Sequence, residues 1–134
     1  MTQLYKSIRG IIFSLVLQFV LGMIINLYGV TPDDPKFAHE SPLIKIAFIA
    51  HSINGLVLPL AALFILFLAV KSGKQVLKKW AVLGLISILI AAGAGISTIM
   101  LKDNAQELAS LIMSFGFIAS FLSYGKLFLF LKNS

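Results

Sequence analysis

The sequence predicts an all-α membrane protein that crosses the bilayer four times. Of its 134 residues, 59% are hydrophobic and only 12% are charged, whereas globular chains average about 45–50% and about 25%. A soluble chain this short could not bury so much apolar side chain, because small domains have a large surface for their volume. Four long apolar runs, joined by short polar connectors, set the number of spans.

The apolar runs cover residues 11–30, 43–70, 80–101 and 108–131. Each has the roughly 20 residues that a helix needs to cross about 30 Å of hydrocarbon. None alternates as a β-barrel strand does, and backbone groups at that depth must pair within their own segment. Because the connectors are short, we expect an antiparallel up-down four-helix bundle, with 1–134 as a single domain. The connector at 31–42 holds three prolines and is expected to be irregular.

Basic residues lie mostly on one side of the predicted bundle. The side with both termini has eight and no acid, and the other has three together with all five acids. The positive-inside rule therefore predicts a multi-pass protein of the cell membrane with both termini in the cytoplasm. That rule alone explains the lysines, although attraction to anionic lipid is an alternative. No soluble basic face or aromatic platform indicates nucleic-acid binding. The eight are Lys6, Arg9, Lys71, Lys74, Lys78, Lys79, Lys126 and Lys132.

Acidic and sulfhydryl side chains are missing where several functions would need them. No Asp or Glu lies within the four apolar runs, and proton pumps and cation-coupled transporters commonly depend on such residues. The chain has no cysteine, which excludes disulfides and thiolate metal sites. These absences also disfavour an oligomeric channel, which would have to line its pore with neutral polar residues.

Neutral polar residues in the first two helices form the candidate site. Four residues of the first helix recur at every fourth position, which predicts a shared face: Ser14, Gln18, Gly22 and Asn26. The second helix carries three residues at helical spacing, followed by Pro59: His51, Asn54 and Gly55. Because proline lacks an N–H, the carbonyl of Gly55 loses its helical partner one turn from the histidine.

The sequence singles out His51 as the only ionisable side chain deep in the hydrocarbon, about 12 Å below the outer end of its helix. We expect a neutral imidazole there, which can ligate a metal or hydrogen-bond a quinone oxygen. Polar residues of all four helices reach similar depths and are expected to converge on one pocket in the outer half. The candidate cofactor-binding residues are His51, Asn54, Asn26, Gln18, Met113 and Ser114. The structural alternative is a histidine that bonds only to its neighbours.

A haem iron would take His51 as a ligand and usually a second histidine or methionine. Met113 is the candidate from the fourth helix, although methionines in spans more often fill apolar space. The small residues of the third and fourth helices indicate close packing rather than a site. Examples are the pairs Ala91/Gly95 and Gly116/Ser120.

Two short segments, Leu17-Gln18-Phe19-Val20-Leu21-Gly22 and Ala50-His51-Ser52-Ile53-Asn54-Gly55, resemble one four-helix half of heme A synthase. They also resemble small four-span membrane proteins of bacteria and archaea. The resemblance implies a four-helix bundle in which His51 matches a haem ligand. The family's ligand in the fourth helix has no counterpart, because that region reads Ile112-Met113-Ser114-Phe115. The family's extracellular cysteine pair and acidic residue are also missing.

Three functions follow as alternatives for this membrane-embedded chain. The first is a redox or assembly module that binds haem b or quinone in the outer half. The second is a non-catalytic accessory subunit of a larger membrane complex, and the third is a channel formed by a homo-oligomer. Enzymatic activity without a cofactor has no support in the sequence.

Overall fold

A computed structural model describes residues 2–28, 39–101 and 104–133. These residues form four α-helices, α1 (Thr2–Tyr28), α2 (Pro42–Lys71), α3 (Gln75–Met100) and α4 (Asn104–Lys132). At about 1.5 Å per residue the shortest helix extends about 39 Å, more than the hydrocarbon thickness of about 30 Å. All four are long and apolar enough to cross a membrane, which confirms the predicted number and type of spans.

Each helix begins before its apolar run, and α1 does so most. It starts at Thr2 rather than at residue 11, and Leu4 and Ile8 of the added turns are buried. Tyr5 stacks on Phe128 of α4 with ring centroids 5.2 Å apart. Hydropathy marks only the part of a helix that matches the hydrocarbon, whereas packing against neighbours extends it further. The irregular connector predicted at 31–42 lies largely outside the described residues.

The helices pack in a ring in chain order. The contact between α3 and α4 is the most extensive, α2 contacts both α1 and α3, and α1 closes the ring against α4. One buried cluster joins Leu4 near the start of α1, Ala69 near the end of α2, Leu77 near the start of α3 and Leu127 near the end of α4. Consecutive helices therefore run antiparallel, as expected. We call this end of the bundle the terminal end and the opposite end the connector end.

A tight turn joins α2 to α3 at the terminal end. The backbone N–H of Ser72 donates to the carbonyl of Leu68, and that of Gly73 donates to Val70. Gly73 adopts a φ of 70°, a left-handed conformation that glycine reaches without steric cost. This glycine allows α3 to begin within a few residues of the end of α2.

The outward faces of the helices are apolar. Large side chains along the whole length stay exposed, including Leu27 at 81%, Leu56 at 71% and Phe13 at 70%. Water would strongly disfavour so much apolar surface, whereas lipid chains accept it. The bundle is therefore suited to a bilayer, with a narrow buried core between its helices.

Candidate functional site

The polar faces predicted on α1 and α2 meet each other in the structure. Ser14 and Gln18, one turn apart on α1, contact Asn54 and His51 on α2. The four side chains form a continuous series of hydrogen bonds between the two helices. We call it the Ser14–His51 network.

The network has a fixed direction, because it begins at a group that can only accept. Nδ2 of Asn54 donates to the backbone carbonyl of Ser14 at 2.9 Å and to Oε1 of Gln18 at 2.8 Å. The Ser14 hydroxyl donates to Oδ1 of Asn54 at 2.5 Å. A carbonyl offers no proton, so the Asn54 amide cannot be reversed. The Gln18 oxygen is then committed to Asn54, and its Nε2 faces His51.

The orientation of Gln18 determines the protonation of His51. Nε2 of Gln18 lies 3.1 Å from Nε2 of His51. Because the amide nitrogen is a donor, the imidazole Nε2 must accept, and in the neutral ring the hydrogen is then on Nδ1. An imidazolium would direct two N–H groups at each other. Nδ1 is buried and has no hydrogen-bond partner among the described residues.

Two glycines allow α1 and α2 to approach at this level. A Cβ at Gly22 would lie 3.1 Å from Cε1 of His51 and 3.6 Å from its Nδ1. A Cβ at Gly55 would lie 3.3 Å from Nε2 of Gln18. Each long polar side chain therefore rests on a glycine of the opposite helix. The predicted face of α1 is confirmed as far as Gly22.

Pro59 lies inside α2, which continues as one helix through it. The missing N–H leaves the carbonyl of Gly55 without its usual helical donor. This carbonyl is one turn from His51 along the helix, as the sequence predicts. It adds an acceptor near the network without interrupting the helix.

Three of the candidate residues lie apart from the network. Asn26 is exposed, because steps of four residues drift about 40° each around a helix and place it about 120° from Ser14. Ser114 is also exposed, and its hydroxyl donates to the carbonyl of Ser110. The sulfur of Met113 packs near Gly95 of α3. The expected convergence of all four helices is therefore wrong: the polar network joins α1 and α2 alone.

The small residues of α3 and α4 serve close packing, in agreement with the prediction. A Cβ at Gly116 would lie 2.9 Å from the carbonyl oxygen of Ser87 and 3.0 Å from Cβ of Ala91. The hydroxyls of these helices return to their own backbones, as Ser87 does to Leu83 and Ser120 to Phe117. They leave no polar group directed at His51.

Tyr124 is a buried polar residue that the sequence analysis missed. Its side chain is fully buried against Gly84, where an added Cβ would lie 2.6 Å from Cζ of the ring. Its hydroxyl has no hydrogen-bond partner among the described residues. His51 is therefore not the only ionisable side chain deep in the bundle. The signal was available, because Tyr124 falls well inside the fourth apolar run rather than at an interface.

Two hollows open on the surface of the bundle, and His51 lines neither. One, of about 290 Å³, lies between α1 and α2 and is lined by Ser7, Gly10, Ile11, Ser14, Val57, Ala61 and Phe64. The other, of about 360 Å³, lies between α3 and α4 and is lined by Trp80, Lys126, Leu129, Phe130 and Asn133. We call them the α1–α2 groove and the α3–α4 hollow.

The residues around His51 do not fit a haem ligand as they are arranged. Nε2 accepts a hydrogen bond from Gln18, and Nδ1 carries the proton and packs beside Gly22. An iron ligand needs a free nitrogen lone pair. Within the described part of the chain, no three His, Cys, Asp or Glu side chains group as metal ligands.

Comparison of the chain with protein-family models, curated proteins and solved structures finds no match. The site is therefore interpreted from its own geometry, and the resemblance to heme A synthase stays a prediction.

Proposed function

We propose that the chain is a non-catalytic accessory subunit that binds a transmembrane helix of a larger membrane complex in the α1–α2 groove. The observation that carries the proposal is the small-residue surface of this groove. Ser7, Gly10 and Ser14 follow one side of α1, with Ala61 opposite on α2. Small residues let membrane helices approach closely.

The contrast between glycines supports an external occupant for the groove. Gly84 and Gly116 are covered by Tyr124 and by the backbone of α3. A Cβ at Gly10 would meet nothing within 4 Å. The small surface of α1 is thus free for a helix from another polypeptide, whose larger side chains would fill the space above Gly10.

The Ser14–His51 network supports a structural role for the same two helices. It satisfies the polar groups of Asn54 and Gln18 inside the bundle and fixes α1 against α2. Interhelical hydrogen bonds in membranes contribute about 0.6 kcal/mol each on average. The network therefore holds the two walls of the groove at a constant separation, which a docking partner requires.

The test compares Gly10→Leu with Gly93→Leu in the native membrane. Both glycines are exposed and have open space at the Cβ position, so both variants should fold. Purification in mild detergent should recover wild type and Gly93→Leu with a stoichiometric second polypeptide, and Gly10→Leu without it. Recovery of wild type as a monomer or as a homo-oligomer would contradict the proposed role.

A quinone site is the second candidate, favoured by the buried N–H of His51. Nδ1 is a donor without a partner among the described residues, and a quinone carbonyl is a lipid-soluble acceptor. Lipid extracts of the purified protein should then contain quinone in proportion to the protein, and His51→Ala should remove it. Extracts free of quinone would exclude this candidate, and a Soret band lost in His51→Ala would show haem instead.

The proposed location is the cell membrane, with both termini in the cytoplasm. The support is the distribution of charge, since the basic residues concentrate toward the terminal end in sequence. The described carboxylates, Glu40 and Glu107, lie at the starts of α2 and α4, at the connector end.

A further inference from the structure

The α3–α4 hollow combines apolar walls with cationic and hydrogen-bonding groups. It lies between the first turns of α3 and the last turns of α4, at the terminal end. Leu129 and Phe130 supply apolar surface, while Lys126, Asn133 and the indole N–H of Trp80 can donate hydrogen bonds. At about 360 Å³ it is at the lower end of the roughly 300–1,000 Å³ of small-ligand sites.

The charge around this hollow is positive. Lys126 lines it, and Nζ of Lys74 lies 5.7 Å from the ring centroid of Phe130, another lining residue. The carboxylates within the described residues, Glu40 and Glu107, are at the opposite end of the bundle. An anion in the hollow would therefore meet attraction without nearby repulsion from the described side chains.

The surface beyond the hollow is apolar. Leu122 and Leu129, seven residues apart on α4, are 61% and 52% exposed, and this spacing places them on one side of the helix. A ligand with a charged head and long apolar chains matches this sequence of surfaces. Trp80 and Lys126 are also residue types that lie at the level of lipid headgroups.

We propose that the α3–α4 hollow binds an anionic phospholipid. Its phosphate lies beside Lys126 within reach of Asn133 and Trp80, and its acyl chains follow the exposed side of α4. The hollow is too small for a whole lipid, so it holds the glycerophosphate part. Binding there would attach the lipid across the most extensive helix contact of the bundle.

Trp80 is the only tryptophan of the chain, so its fluorescence reports on this hollow directly. The full chain is reconstituted in mixed vesicles of phosphatidylcholine and phosphatidylglycerol, with bromine on the acyl chains of one lipid at a time. We expect brominated phosphatidylglycerol to quench Trp80 more strongly than brominated phosphatidylcholine at the same mole fraction. Equal quenching by the two lipids would overturn the proposal.

Charge variants separate a site from general surface attraction. Lys126 is exposed, so Lys126→Gln should fold, and it should lower the preference for phosphatidylglycerol about fivefold, the contribution of one basic residue near an anionic surface. Lys71→Gln makes the same charge change at the end of α2, which does not line the hollow, and should keep the wild-type preference. An equal loss in both variants would overturn the proposal.

Inorganic phosphate separates the lipid from its headgroup chemistry. Because the acyl chains contribute contacts on α4, millimolar phosphate should leave the quenching by phosphatidylglycerol unchanged. Displacement of the lipid by phosphate would show a site for soluble anions and would overturn the assignment to a phospholipid.

Discussion

The side-chain amide of Gln18 donates to Nε2 of His51 across the interface of α1 and α2, with 3.1 Å between the two nitrogens. The direction of this bond follows from the Ser14 carbonyl, through the amides of Asn54 and Gln18. The histidine is thereby a member of an internal network, with Nε2 accepting. This relationship separates an interhelical contact from a free ligand.

Replacing Gln18 should weaken the bundle measurably. Gln18→Leu removes the acceptor of Asn54 and the donor to His51, and each buried polar group left without a partner costs about 1–3 kcal/mol. Unfolding in mixed micelles with increasing dodecyl sulfate should shift to lower detergent fraction. The control is Asn26→Leu, the same change at an exposed position of α1, which should leave the transition in place. Equal transitions for both variants would contradict the role of the network.

Gly116 should tolerate no side chain. A Cβ there would lie 2.9 Å from the carbonyl oxygen of Ser87, and backbone cannot move aside without separating α3 from α4. We expect Gly116→Ala to lower the free energy of unfolding by about 1–3 kcal/mol. Gly93→Ala, where the Cβ meets nothing within 4 Å, should raise it by up to about 1 kcal/mol through helix propensity. A neutral Gly116→Ala would show that the contact is looser than described.

Gly84 and Tyr124 should be energetically coupled. Gly84→Ala would place Cβ 2.6 Å from Cζ of the ring, whereas in a Tyr124→Leu background the same methyl has space. A double-mutant cycle on unfolding should give a coupling free energy of about 0.5–3 kcal/mol. Additive effects would contradict the contact. Tyr124→Phe alone should be neutral or stabilising, because the removed hydroxyl has no partner among the described residues.

The orientation of the chain can be read with single cysteines, because the sequence has none. Gly73→Cys would place a thiol in the α2–α3 turn, but its φ of 70° disfavours that change, so Ser72→Cys is the better choice. An impermeant thiol reagent added outside intact cells should label Glu40→Cys and leave Ser72→Cys unlabelled. The reverse pattern would contradict cytoplasmic termini.

Hydropathy was sufficient to predict the four spans, because the need to cross about 30 Å of hydrocarbon sets both length and composition. The pairing of Ser14 and Gln18 with the face of His51 and Asn54 also followed from helical spacing. Asn26, Met113 and Ser114 were misassigned because depth in the membrane says nothing about direction around a helix. The fine position of Gly116 against Ser87 depends on how α3 and α4 approach, which a single sequence does not encode at that detail.

Nitrogen NMR of the imidazoles tests the central claim most directly. The chain has two histidines, so ¹⁵N-histidine labelling of His39→Gln in lipid bilayers leaves His51 as the one imidazole observed. The network predicts a neutral ring with the proton on Nδ1 and an unprotonated, hydrogen-bonded Nε2, and Gln18→Leu should change the Nε2 signal. A proton on Nε2, or an imidazolium at neutral pH, would contradict the network and its use of His51.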